Sequence, residues 1–163
     1  MTLETERLMI RPFESEDLHD LHEILGDAET MQFCEPPYDL AKTKAFLHDF
    51  CIARRGALAA VRKDTGKVIG YILFKDFGDG VFEAGWFINR SVWRMGYAYE
   101  AVSAVFARAF ANGAKRIFAE TIDTVKSVAL MEKLGMKLSE VQKGEATDLN
   151  GAACDMYVYE ICR

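Results

Sequence analysis

The stretch K-V-I-G-Y-I-L-F-K, residues 67–75, is apolar on both of the faces a strand presents, and this limits the architecture more than any other feature of the chain. Successive side chains of a strand point to opposite sides, so a strand with no polar face must be covered on both. It belongs in the middle of a sheet with further structure packed above and below. Its neighbours supply that sheet. A-L-A-A-V-R at 57–62 reads as a strand, D-T-G-K at 64–67 as a turn, and G-D-G at 78–80 leads into V-F-E-A-G-W-F-I at 81–88. Short Gly/Asp turns between successive strands make the trio antiparallel.

Helical periodicity supplies the covering layers. After an alternating R-L-M-I-R-P at 7–12, Ser15 reads as an N-cap, and Leu18, Leu21, Ile24 and Leu25 follow at helical spacing until Gly26. A second helix is expected over Leu40 to Arg54, after the Pro36-Pro37 break. Ala98, Ala101, Val102, Val105, Phe106, Ala109 and Phe110 form a stripe closed by Asn112-Gly113. A strand at 116–121, a helix from about Thr124 to Leu134 and strands near 136–142 and 153–161 complete the order. The expected fold is a mixed α/β (α+β) domain: a mostly antiparallel central sheet of about seven strands flanked by four helices. No repeat or linker divides it, so residues 1–163 read as one domain.

Composition narrows the function classes. A formal net charge of -5 opposes the clustered basic surface that nucleic-acid binding needs. No apolar run reaches the roughly 18 residues of a membrane span, and the N-terminus lacks the pattern of a signal peptide. Cys34, Cys51, Cys154 and Cys162 show no C-x-x-C spacing and read as reduced thiols of a cytoplasmic protein. His19 and His22 share a helix face, but no third ligand converges on them, and no metal is expected.

The segment V-W-R-M-G-Y-A-Y-E-A, 92–101, sits where a buried strand gives way to the amphipathic helix. Such a junction gathers unpaired backbone N–H groups and the positive helix end into one small volume, an anion site. Gly96 lets the backbone approach a bulky anion, and Arg94 and Arg90 add charge suited to a pyrophosphate. Taken locally, the stretch reads equally well as a tight turn with a solvated arginine. G-x-x-x-x-G-K-[ST] and G-x-G-x-x-G are both absent, which sets aside the P-loop and the dinucleotide fingerprint.

Four segments in order resemble the GNAT superfamily of acyl-CoA-dependent N-acetyltransferases, and more narrowly its RimJ/RimL-type branch. They are E-T-E-R-L-M-I-R-P-F…E-D-L at 4–18, E-A-G-W-F-I at 83–88, W-R-M-G-Y-A-Y-E-A at 93–101 and S-V-A-L-M-E-K-L-G-M at 127–136. The resemblance implies acetyl-CoA as co-substrate. Its pyrophosphate would be held by the amides of Arg94, Met95, Gly96, Tyr97 and Ala98, and its pantetheine arm would pair along Phe87 and Ile88. Thr124 stands where the family usually has an asparagine that contacts the pantetheine. The acceptor implied is a small-molecule amine or a protein N-terminus, and the enzyme would work as monomer or homodimer.

Acetyl transfer to an amine needs a base for the ammonium proton, a donor for the thioester oxygen and a proton for the departing thiolate. Glu83, in an otherwise apolar strand, is the candidate base, direct or through water. A strand N–H near Phe87 or Ile88 is the candidate oxygen donor. Ser127 is, by the resemblance, the candidate at the sulfur, with Tyr157 and Tyr159 as alternative acids. A non-catalytic acyl-CoA-binding sensor is the second reading, kept alive by Thr124.

Overall fold

The computed structural model describes residues 1–163. Its centre is one eight-stranded sheet of order β1-β2-β3-β4-β5-β6-β8-β7. The strands are β1 (Leu3–Glu4), β2 (Leu8–Pro12), β3 (Ala57–Arg62), β4 (Val68–Asp76), β5 (Val81–Ile88), β6 (Arg116–Thr121), β7 (Lys137–Thr147) and β8 (Ala153–Cys162). Every neighbouring pair is antiparallel except β5 and β6. Both faces of β4 are covered, as its sequence requires. Val68 and Tyr71 pack into the layer on one side, Ile69 and Ile72 into that on the other.

The helices are α1 (Leu18–Leu25), α2 (Ala28–Met31), α3 (Leu40–Phe46), α4 (Tyr97–Ala111) and α5 (Lys126–Lys133). On one face of the sheet, Leu21, Ile24, Met31 and Leu47 pack against Ala59, Val61 and Tyr71. On the other, Ala101 and Val105 of α4 meet Ile10, Ile72 and Ile88, and Val102 and Phe106 meet Ala84 and Ile117. The stripe read from the sequence is therefore the buried face of α4. No helix is long and apolar enough to cross a membrane.

Several expectations change in detail. β1 and α2 add a short strand and a short helix to the expected elements. The expected second helix is α3 followed by a π-helical turn, Leu47–Ala53, which keeps the chain continuous to Arg54. Ser15 begins a 3-10 turn rather than capping α1; Glu14 is the cap of that turn, its amide donating to Asp17 Oδ2 at 2.8 Å. Asp17 is buried and takes a two-pronged contact from Arg11 at 2.8 and 2.9 Å, so β2 and the α1 entrance are tied by one ion pair. β7 runs to Thr147, past the expected 142, because β8 pairs with it as far as Ala153.

Candidate active site

β5 pairs with β4 along its length, from Gly70↔Ile88 to Asp76↔Phe82. It meets β6 only at Val81↔Arg116, Phe82↔Ile117 and Glu83↔Phe118. Beyond Glu83 the two strands part, and Ala84–Ile88 has no strand on that side. The bond from Asn89 N–H to Ile69 O, at 2.7 Å, sets the alternation of this ladder. In it the amides of Phe87 and Gly85 turn toward β4, while those of Trp86 and Ile88 turn to the open edge. Ile88 offers only its N–H there, because the indole N–H of Trp93 donates to its carbonyl oxygen at 2.7 Å. Of the two residues expected along the pantetheine, Ile88 thus presents its backbone to the cleft and Phe87 presents its ring to the α1 face. Trp86 joins Ile88 at the edge and was not among the sequence candidates.

The loop after β5 is unusual in its backbone. Arg94 and Gly96 both lie in the left-handed region, at φ 62° and 82°. For a residue with a Cβ this conformation costs about 1–2 kcal/mol; an arginine held there points to function. None of the amides from Arg94 to Tyr99 donates to an acceptor within the chain, and the first bond of α4 is Glu100 N–H to Gly96 O at 3.1 Å. Arg94, Met95 and Gly96 are exposed, and Arg94 makes no ion pair. Arg90 is different: it is engaged by Asp27 at 3.1 Å and Glu29 at 3.4 Å and adds no free charge to the loop.

The loop is held from outside by residues whose role the sequence did not disclose. Arg7 donates from Nε to Glu100 at 2.6 Å and from Nη1 to the Met95 carbonyl at 2.9 Å, and its guanidinium lies 4.0 Å from the Tyr97 ring centre. Thr5 donates to the same carboxylate at 2.6 Å, and so does the Arg7 amide at 2.8 Å. Burial alone would push Glu100 up; the bonds from Thr5 and Arg7 hold its carboxyl below the usual range. The one signal available was an acidic residue one turn into the helix of a supposed anion site, which calls for a cation beside it.

On the opposite lip, Asp123 caps α5. Its carboxylate accepts from the amides of Val125, Lys126 and Ser127 at 2.9, 3.1 and 3.1 Å and from the Ser127 hydroxyl at 3.2 Å. Thr124, at the position that the resemblance assigns to a pantetheine contact, is exposed and its side chain makes no hydrogen bond in the chain. Asp123→Ala should lower stability by about 1–2 kcal/mol, about 2–8 °C in Tm for a chain of this size, read by thermal melts.

Glu83 occupies the last residue pair before the strands part, on the face that also carries Gly85 and Phe87. It is half-buried and has neither a hydrogen bond nor an ion pair. Burial, then the charge of Glu120 on the adjoining strand, pushes its carboxyl above the usual range; Lys75 opposes this weakly. Tyr157 and Tyr159 project to the other face, among the α4-side apolar residues. His22 contacts the Tyr38 carbonyl at 3.1 Å, and no group of His, Cys, Asp or Glu is gathered around a cation position.

Geometry and sequence agree with what the chain is similar to. Residues 7–137 match the family described as acetyltransferase (GNAT) domain. An uncharacterized N-acetyltransferase of Bacillus subtilis, YnaD, is 30% identical over 84% of this chain and 83% of its own length. The crystal structure of a GNAT-family acetyltransferase from Bacillus anthracis superposes with a TM-score of 0.90 at 26% identity, covering 99% of this chain and 98% of that one. The microcin C7 self-immunity acetyltransferase MccE, solved with acetyl-CoA and AMP, shares the fold with a TM-score of 0.83 at 18% identity, over 97% and 93% of the two chains. The family match over most of the chain, on a fold whose strands β5 and β6 part beside a loop of unpaired amides, leads to one conclusion: this chain is an acetyltransferase of the GNAT family.

Proposed function

We propose that the protein moves the acetyl group of acetyl-CoA to a primary amine, by direct attack while both substrates are bound. The acceptor is a protein N-terminal α-amine or a small-molecule amine, and the RimJ/RimL-type motifs favour that branch. The carrying observation is Glu83: an unpaired, half-buried carboxylate at the vertex of the parted strands, on the strand that runs into the amide cradle.

The residues fit acetyl-CoA as a co-substrate. The amides from Arg94 to Ala98 suit a pyrophosphate, with the free Arg94 guanidinium beside them. The edge of Trp86 and Ile88 suits an amide-bearing extended arm, added as a strand would be. Acetyl-CoA supplies the activated acyl group. Glu83 takes the ammonium proton from the acceptor, directly or through water, and frees the lone pair for attack. An edge N–H, from Trp86 or Ile88, meets the charge that grows on the carbonyl oxygen. By the family resemblance, Ser127 serves the departing sulfur. Its proton rests on Asp123; turning it to the departing sulfur gives up one bond while Asp123 keeps its three amides.

Gly85 leaves the floor between Glu83 and Phe87 bare. A Cβ there would lie 3.4 Å from the nearest atom, on Leu73, an ordinary contact. Gly85→Ala should therefore fold normally and bind acetyl-CoA as before, while kcat/KM for the amine falls about tenfold or more from displacement of the nucleophile. Thiol release from acetyl-CoA against N-terminal peptides, amino acids, polyamines and aminoglycosides tests the whole reading. Amine-dependent release supports it, and saturable acetyl-CoA binding with no release on any acceptor overturns it.

A further inference from the structure

The α1-side core around the acceptor face is built from aromatic rings. Tyr71 of β4 packs against Phe13, Phe46 and Phe87 with ring centres 6.2, 5.8 and 6.0 Å away, the last pair stacked. It is the register partner of Phe87 and points to the same face as Glu83 and Gly85. The residue is only 5% exposed, yet its hydroxyl makes no hydrogen bond within the chain. A buried tyrosine normally finds a partner for its O–H, because stranding it wastes a donor that water would have satisfied.

No side-chain oxygen or nitrogen sealed from solvent lacks a partner in this protein. The Tyr71 hydroxyl therefore ends in space that solvent or a ligand reaches, and the small exposure of the residue includes its tip. The ionisable groups near enough to influence it are Cys51 on the π-helical turn, Tyr38 and Cys34 on the segment between α2 and α3, and Glu83. The ring is thus covered by Phe46 of the helical layer and flanked by Phe87 of the strand that carries the candidate base. Burial first, and then these neighbours, push its ionisation far up, so it stays a neutral donor. Phenylalanine would pack as well among Phe13, Phe46 and Phe87. Nothing in the fold uses the oxygen.

We propose that Tyr71 is a specificity-determining residue for the acceptor: its hydroxyl donates to an oxygen borne by the substrate a few bonds from the reacting nitrogen. The proposal rests on the acceptor reading above and deepens it. It selects amines with such an oxygen, as in a peptide N-terminus or an amino acid, over plain alkylamines and polyamines, which offer the hydroxyl no acceptor. A site built to hydrogen-bond a substrate group discriminates strongly against the analogue lacking that group.

The test compares wild type and Tyr71→Phe on two amines, an alanine-initiated tripeptide amide and n-propylamine, with acetyl-CoA KM and Tm measured alongside. Expected is a wild-type preference for the peptide that shrinks in the variant. Peptide kcat/KM falls about tenfold, the loss of one hydrogen bond near 1.4 kcal/mol, while propylamine changes less than about twofold. Acetyl-CoA KM and Tm stay as in wild type. An equal loss on both amines, an unchanged peptide rate, or a fall in Tm overturns the proposal while leaving the transferase reading intact. A wild type that acetylates neither amine but acetylates a polyamine overturns it as well. A wild type that transfers to no amine overturns both readings together.

Discussion

Glu83→Gln lowers kcat by about 10²–10⁴-fold and leaves acetyl-CoA affinity unchanged. The amide has nearly the shape of the carboxylate, and the native side chain holds no partner that the change would strand. What disappears is the proton acceptor. The ionised form is the active one, so wild-type activity rises with pH through the Glu83 ionisation and is lost as pH falls below it. Since burial and then Glu120 raise that ionisation above the ordinary value of 4.5, the acid limb lies above the ordinary carboxylate range. Glutamine at 83 removes the limb assigned to this group. Single-turnover rates across pH, with acetyl-CoA Kd by calorimetry, measure both quantities. A full-rate variant assigns the proton to another group.

Gly96→Asp raises the Kd for acetyl-CoA by about 100-fold or more, since like charges placed together cost several kcal/mol. Two effects combine and can be separated. The backbone at φ 82° disfavours any side chain, although aspartate and asparagine tolerate it better than most. A Cβ at this position meets only Arg7 Nη2, at 3.4 Å, so crowding is slight. Gly96→Asn carries the same backbone burden without charge and should weaken binding only several-fold. The gap between the two variants is the electrostatic share of the cradle. It should narrow as salt is added, because this site is exposed.

Local pattern revealed those parts of the fold whose determinants lie close together in the chain. β5 and β6 begin and end where alternation and turn residues put them, and α4 buries the stripe that its spacing draws. Two residues of β1 are too few to show a period, and the four of α2 make one turn. Leu47–Ala53 follows apolar spacing like any helix, and that spacing does not report the wider winding. At the site, Gly96 and Glu83 were legible because a bare glycine before a helix and a carboxylate in an apolar strand are local anomalies. The brace of Thr5 and Arg7 on Glu100 joins residues more than ninety positions apart, a separation that no window spans. Asp123 was not singled out as the cap of α5, because no local pattern shows that the turn after β6 buries it and leaves Thr124 outside. Tyr71 was hidden for the opposite reason. Its ring obeys the strand pattern fully, and only the lack of a partner for its oxygen sets it apart.

The open run Ala84–Ile88 also bears on how the protein stays free of itself. Five uncharged residues with an unpaired backbone edge are the sort of stretch that recruits foreign strands and seeds aggregates. Here the edge lies inside a V whose other arm is β6, and at the mouth the Trp93 indole occupies the Ile88 carbonyl, with the Lys126 ammonium 4.7 Å from the centre of that ring. An invading strand would find its last acceptor taken and a cation standing over the doorway. The fold thus keeps an adhesive edge in working order by making it short, recessed and guarded.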